Sequence, residues 1–147
     1  MAQPHILIVE ARFYEDLANE MVSGAIEAIE AKGGTYDRIS VPGALEIPAA
    51  LKFAHVGSDK HYDGYVALGV VIRGETTHYD YVCGESARAL QDLAIKDLMA
   101  VGNGILTVED HDQAWARADR ARKNKGADAA NAAMRMAELK QAFKVQD

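Results

Sequence analysis

Two stretches of the chain are apolar at every position rather than at every second one: Ile6-Leu7-Ile8-Val9 and Tyr65-Val66-Ala67-Leu68-Gly69-Val70-Val71-Ile72. A strand reads this way when helices cover both faces of its sheet, so both runs are predicted to be central parallel strands. Between them Leu17, Met21, Ala25 and Ala28 recur at helical spacing. Lys32-Gly33-Gly34 follows, where glycine can take the left-handed conformation that ends a helix. A second strand fits residues 36–41, stopped by Pro42-Gly43, and a second helix fits 45 to about 54, with Pro48 tolerable only in its first turn. Further on, Cys83, Ala87, Leu90, Ala94 and Leu98 form the stripe of a third helix. Gly104-Ile105-Leu106-Thr107-Val108 reads as a fourth strand, and Ala132, Met136, Leu139 and Phe143 as the stripe of a last helix.

Alternating strands and helices of this length predict a doubly wound α/β layer, because crossovers between parallel strands are almost always right-handed and place helices on both faces. With 147 residues, about half of them apolar, the chain has the size of one domain, residues 1–147, with a core that needs neither disulfide nor metal. No linker, repeat or low-complexity segment interrupts it. In such folds ligands bind outside the carboxyl ends of the strands. Four segments qualify: Arg12-Phe13, Pro42 to Glu46, Arg73 to His78, and Thr107-Val108-Glu109.

A net charge of -6 argues against nucleic acid or an anionic membrane surface as partner, since both call for clustered positive charge. The local exception is the run Arg117, Arg120, Arg122, Lys123, Lys125. Cys83 is alone, which fits a reducing cytoplasm; its thiol could be reactive, but it reads first as a small buried hydrophobe. Met1-Ala2-Gln3-Pro4-His5 shows no basic region followed by a long apolar one, and no stretch approaches the roughly 20 apolar residues that span a bilayer. A soluble cytoplasmic protein is expected. His5, His55, His61 and His111 have neither the spacing nor the cysteine and carboxylate company of a metal site, so no metal is predicted.

Gly74-Glu75-Thr76-Thr77-His78 is the most informative stretch: a strand runs into a glycine turn, two hydroxyls and the start of a helix. The first amides of a helix lack intrahelical partners and suit an anion such as phosphate, although Thr76 or Thr77 could simply cap the helix. His78 falls in the first helical turn, where the positive end of the dipole disfavours imidazolium while a bound phosphate favours it. The ring is thereby suited to take and give protons near neutral pH. Phe13 could stack on a planar heterocycle or merely staple the first helix. Glu46 could accept hydrogen bonds from ligand hydroxyls or serve only the dipole of the second helix. Arg117 and Lys125 offer phosphate binding or ordinary solvated charge.

Taken together these segments resemble the lumazine synthase family. The string from Gly69 to Cys83, GVVIRGETTHYDYVC, looks like the family's IRGxTxHxDY signature. Ala11-Arg12-Phe13, Val41-Pro42-Gly43-Ala44-Leu45-Glu46-Ile47-Pro48, Gly104-Ile105-Leu106-Thr107 and Asn124-Lys125-Gly126-Ala127-Asp128-Ala129-Ala130 match in the same order along nearly the whole chain. The resemblance implies a single-domain, three-layer α/β sandwich with a four-stranded parallel sheet, doubly wound and flavodoxin-like. It also implies joining 5-amino-6-ribitylaminouracil to 3,4-dihydroxy-2-butanone 4-phosphate, with loss of phosphate and water, to give 6,7-dimethyl-8-ribityllumazine without a cofactor. By that resemblance His78 is the proton shuttle, Phe13 stacks on the pyrimidine, and Glu46 with the backbone near Ala44 and Leu45 holds the ribityl chain. Val71 and Ile72 offer backbone groups to the ring, and Gly74, Glu75 and Thr76 form the phosphate turn. Arg117 binds the phosphate from a neighbouring subunit of a homopentamer.

Three positions depart from the family pattern. Glu75 puts a carboxylate where a small uncharged residue is usual, and it would repel phosphate unless it points away or pairs with a cation such as Arg73. Asn103 stands where many members carry an aromatic residue near the ring from the adjacent subunit, and Ala121 replaces a common lysine. The stretch from Asp119 to Gly126 is bulkier and more charged than the G-T-K-x-G-N-K-G loop of shell-forming members, which favours a free pentamer over a shell. Two rivals stand beside the enzyme: a non-catalytic flavin- or lumazine-binding paralogue, and a generic doubly wound signalling or scaffold domain.

Overall fold

The unbroken apolar run at 65–72 becomes β3 (Gly64–Ile72), and the run at 6–9 becomes β1 (His5–Ala11) beside it, both largely buried. In the computed structural model, which describes residues 3–146, the remaining elements are α1 (Glu15–Ala31), β2 (Thr35–Val41), a 3₁₀ turn (Ala44–Glu46), α2 (Ile47–Gly57), α3 (His78–Lys96), β4 (Val101–Val108), α4 (His111–Ala118) and α5 (Lys125–Ala142). The reading of Met1 and Ala2 as free of a leader, and the outermost bounds of the domain, lie outside the described residues.

The four strands run parallel in the order β2-β1-β3-β4, with Ala11 opposite Val41 and Ile72 opposite Val108. Helices cover both faces. Ile6, Ile8, Val66 and Leu68 pack under α1, α4 and α5, while Leu7, Val9, Tyr65 and Ala67 pack under α2 and α3. Adjacent residues of one strand thus serve opposite cores, which is why the strand sequences are continuously apolar. This is a flavodoxin-like, doubly wound α/β arrangement.

Two helix faces differ from the sequence expectation. The buried stripe of α3 is Val82, Ser86, Leu90 and Leu93, one residue before most of the predicted one, and Ala87 and Leu98 are exposed. In α5 the buried residues are Gly126, Ala129, Ala130, Ala133, Met134 and Ala137, whereas Ala132, Met136 and Phe143 face outward. The reason lies in close packing: a Cβ on Gly102 would sit 1.9 Å from the Ala129 carbonyl oxygen, and one on Gly126 would sit 2.1 Å from that of Met21. Small residues let α5 lie almost backbone-to-backbone on β4 and α1, so its core side is alanine-rich, with Met134 its one large buried side chain, while Met136 and Phe143 point away. β4 also begins earlier than predicted, at Val101, and α4 fills a stretch that carried no predicted element.

Candidate active site

The chain leaves β1 for β2 on one side and β3 for β4 on the other, so a crevice opens at the carboxyl ends between β1 and β3. A mainly apolar cleft of about 370 Å³ occupies it. Phe13 and Tyr14 line it from the loop after β1; Gly43, Ala44, Leu45 and Glu46 from the connection after β2; Val70, Val71 and Ile72 from the end of β3; and His78 and Val82 from α3. Seven sequence-predicted site residues therefore share one space: Phe13, Ala44, Leu45, Glu46, Val71, Ile72 and His78. Phe13 presents its ring, 76% exposed, edge-on to Tyr14 at 4.9 Å between centroids. Glu46 closes the 3₁₀ turn immediately before α2, with Pro48 in that helix's first turn, and its side chain makes no capping bond.

His78 is the first residue of α3 and is exposed. Its backbone N–H donates to the Thr76 hydroxyl at 3.3 Å, and Thr77, at the cap position itself, makes no side-chain capping bond. Gly74, Glu75 and Thr76, the predicted phosphate turn, are all exposed, and the space where a Cβ of Gly74 would project is open. Arg73 is not the partner of Glu75. Its Nε donates to Glu109 at 2.7 Å, it lies 3.5 Å from Asp80, and its guanidinium covers the Tyr79 ring at 4.3 Å. These contacts, with the Arg73 N–H donating to the Val108 carbonyl at 2.9 Å, tie the start of the turn to β4 and α3. The Glu109 hydrogen bond pushes the Arg73 guanidinium further up.

Asn103 and Arg117 lie elsewhere. They line a second cleft of about 420 Å³ along the free edge of β4, together with Lys125 and Asp128. Arg117 is half-buried and donates to the Gln113 carbonyl at 3.0 Å, and Asn103 accepts from the Ile105 N–H at 2.9 Å. One chain thus carries the predicted site in two pieces. The rest of the basic run is largely committed: Arg120 pairs with Glu20 and Glu27 on α1, Arg122 with Asp119, and Lys125 with Asp128.

Sequence reasoning passed over Tyr14, which joins Phe13 in the first cleft and meets the His111 ring edge-on at 5.3 Å. It also passed over α4, which has a legible start signal. Asp110 accepts from the Gln113 N–H at 2.8 Å while the Gln113 side chain accepts from the Glu109 N–H at 2.8 Å, a close variant of the capping box. Among the described residues, no group of three or more His, Cys, Asp or Glu is placed to hold a metal, and no helix is long and apolar enough to cross a membrane.

Residues 3–141 match the family model described as 6,7-dimethyl-8-ribityllumazine synthase. The chain is 61% identical over 140 residues to 6,7-dimethyl-8-ribityllumazine synthase 1 of Rhizobium meliloti, covering 93% of this chain and 92% of that protein. It is 59% identical over 143 residues to the 6,7-dimethyl-8-ribityllumazine synthase of Agrobacterium fabrum, covering 95% and 97%. Against the protein of the same name from Sphingopyxis alaskensis it is 52% identical over 139 residues, covering 95% and 96%.

Proposed function

The chain belongs to the 6,7-dimethyl-8-ribityllumazine synthase family, and from that premise we propose how its two clefts divide the work of the family's reaction. The protein is a transferase of riboflavin biosynthesis. It condenses 5-amino-6-ribitylaminouracil with 3,4-dihydroxy-2-butanone 4-phosphate to 6,7-dimethyl-8-ribityllumazine, releasing phosphate and water.

The observation that carries the reading is the gathering of Phe13, Glu46, Val71, Ile72 and His78 around one cleft of about 370 Å³, a volume suited to a small heterocycle. In the proposed mechanism the pyrimidine stacks on Phe13, its edge meets backbone groups of Val71 and Ile72, and the ribityl chain runs past Ala44 and Leu45 to Glu46. The phosphate of the second substrate rests on the turn Gly74-Glu75-Thr76, at the start of α3. The amine of the first substrate is the nucleophile and phosphate is the leaving group, so neither a cofactor nor a lysine Schiff base is required. His78, beside both substrates, takes and returns protons. Most of the acceleration comes from holding the two molecules in register.

Arg117 and Asn103 then complete the site from a neighbouring copy, in a cytoplasmic homopentamer of single-domain chains rather than a shell. Their position in a separate cleft supports this reading, as do the exposed apolar side chains Phe53, Tyr81, Ile95, Met136 and Phe143, which assembly would cover. The test is turnover of the two purified substrates, followed by lumazine absorbance and phosphate release. Tight lumazine binding without turnover would instead identify a non-catalytic binder.

A further inference from the structure

Near the carboxyl end of β1, outside the residues that line the first cleft, lies a carboxylate with no part in the chemistry above. Glu10 is the penultimate residue of β1, and its side chain is 3% exposed. On the same face of the strand Ile6 and Ile8 are fully buried hydrophobes, so position 10 breaks the strand's own pattern. Arg38 of β2 grips the carboxylate as a fork, Nε donating to Oε2 at 2.9 Å and Nη2 to Oε1 at 3.0 Å. Arg12, in the loop after β1, donates to the same Oε1 and also to the side-chain oxygen of Asn19 on α1. The carboxylate is buried while Arg12 is only partly so and Arg38 reaches solvent; desolvating Glu10 offsets much of what the pairing gains, so the value of the cluster lies in the geometry it imposes.

Two of the four segments that line the cleft follow residues Glu10 holds. Arg12 immediately precedes Phe13, whose exposed ring takes its direction from the backbone on either side. Arg38 lies three residues before Val41, the end of β2, after which the chain builds the wall from Gly43 to Glu46.

We infer that Glu10 is a positioning residue for the ring-bearing substrate: by clamping Arg12 and Arg38 it sets the direction of Phe13 and its spacing from the Gly43–Glu46 wall. The inference rests on the functional reading above. Glu10 touches no reacting atom and acts through Arg12, so its influence falls on the pyrimidine substrate and not on the phosphate-bearing one, whose anion rests on the turn at 74–76.

Two variants test this. Glu10→Gln keeps the shape and removes the charge; Arg12→Lys leaves Glu10 a cation but cannot span both Glu10 and Asn19. Each is expected to raise KM for 5-amino-6-ribitylaminouracil, and to weaken binding of the lumazine product, by about tenfold, while kcat and KM for the butanone phosphate stay within about twofold. The double variant should be no worse than the more affected single one, because both act through one contact. The control is Asp37→Asn, which disrupts a cluster with Tyr62, Lys60 and His5 at the amino ends of the strands and should move neither KM. An unchanged KM for the pyrimidine substrate in Arg12→Lys and Glu10→Gln, or an equal rise in Asp37→Asn, overturns the inference. Should Glu10→Gln fail to fold, Arg12→Lys alone decides. Absence of lumazine formation by the unmutated protein would instead sink the functional reading itself.

Discussion

His78 stands at the first position of α3, lining the cleft without being enclosed by it. If substrate positioning supplies most of the acceleration, His78→Ala should lower kcat by about 10²-fold yet leave turnover measurable above the uncatalysed reaction. Single-turnover absorbance traces would check this, and total loss in a folded, substrate-binding variant would mean that proton transfer carries more of the barrier. At the other end of the sheet Asp37 reports on acid stability. Hydrogen bonds from Tyr62, then Lys60 and His5, hold its carboxyl down from 3.8 to about 2. Between those values the unfolded chain binds the proton more readily than the folded one. The cluster's contribution is therefore complete above about pH 3.8 and is lost as the pH falls toward 2. Asp37→Asn should lower the denaturation midpoint near neutral pH and flatten its decline across that acid window. The side chains that point to chemistry were readable at this scale because their segments fall where strands end. Glu10 was not, because nothing in its neighbours along the chain announces that Arg38, on a different strand, folds against it.

Among the elements, α5 carries an apolar residue on more than one face, and periodicity alone cannot say which face meets the core. The larger side chains suggested Ala132, Met136, Leu139 and Phe143, whereas the fold selects Ala129, Ala130, Ala133 and Ala137, because only small residues admit the backbone contact at Gly102. In α3 the buried stripe starts at Val82, a step before the Cys83 stripe, for the related reason that its apolar positions extend beyond the side that packs on this chain. The two central strands β1 and β3 were legible because both of their faces are buried, leaving no choice of side to make. Gly102→Ala makes the close approach testable: its Cβ would collide with the Ala129 backbone, which cannot swing aside as a side chain could. A loss of about 3 kcal/mol, seen as a lower denaturant midpoint with unchanged slope, is expected from such overpacking.

For the whole molecule, the order of the strands explains why one cleft opens at the switch between β1 and β3 while another runs along the free edge of β4. The assembly proposed here gives a mass near five chains by light scattering, and a mass near sixty would replace the free pentamer with a shell. The separation of the two clefts has a further consequence, of a genetic kind. A chain crippled in the first cleft by Phe13→Ala with His78→Ala, and a chain crippled in the second by Arg117→Ala, carry lesions in different halves of a shared site. Refolded together in equal amounts, they should pair a sound first cleft with a sound second cleft at about a quarter of the junctions, given random cyclic assembly. Two nearly inactive preparations would then complement one another in the test tube, and no mixing ratio could exceed that fraction.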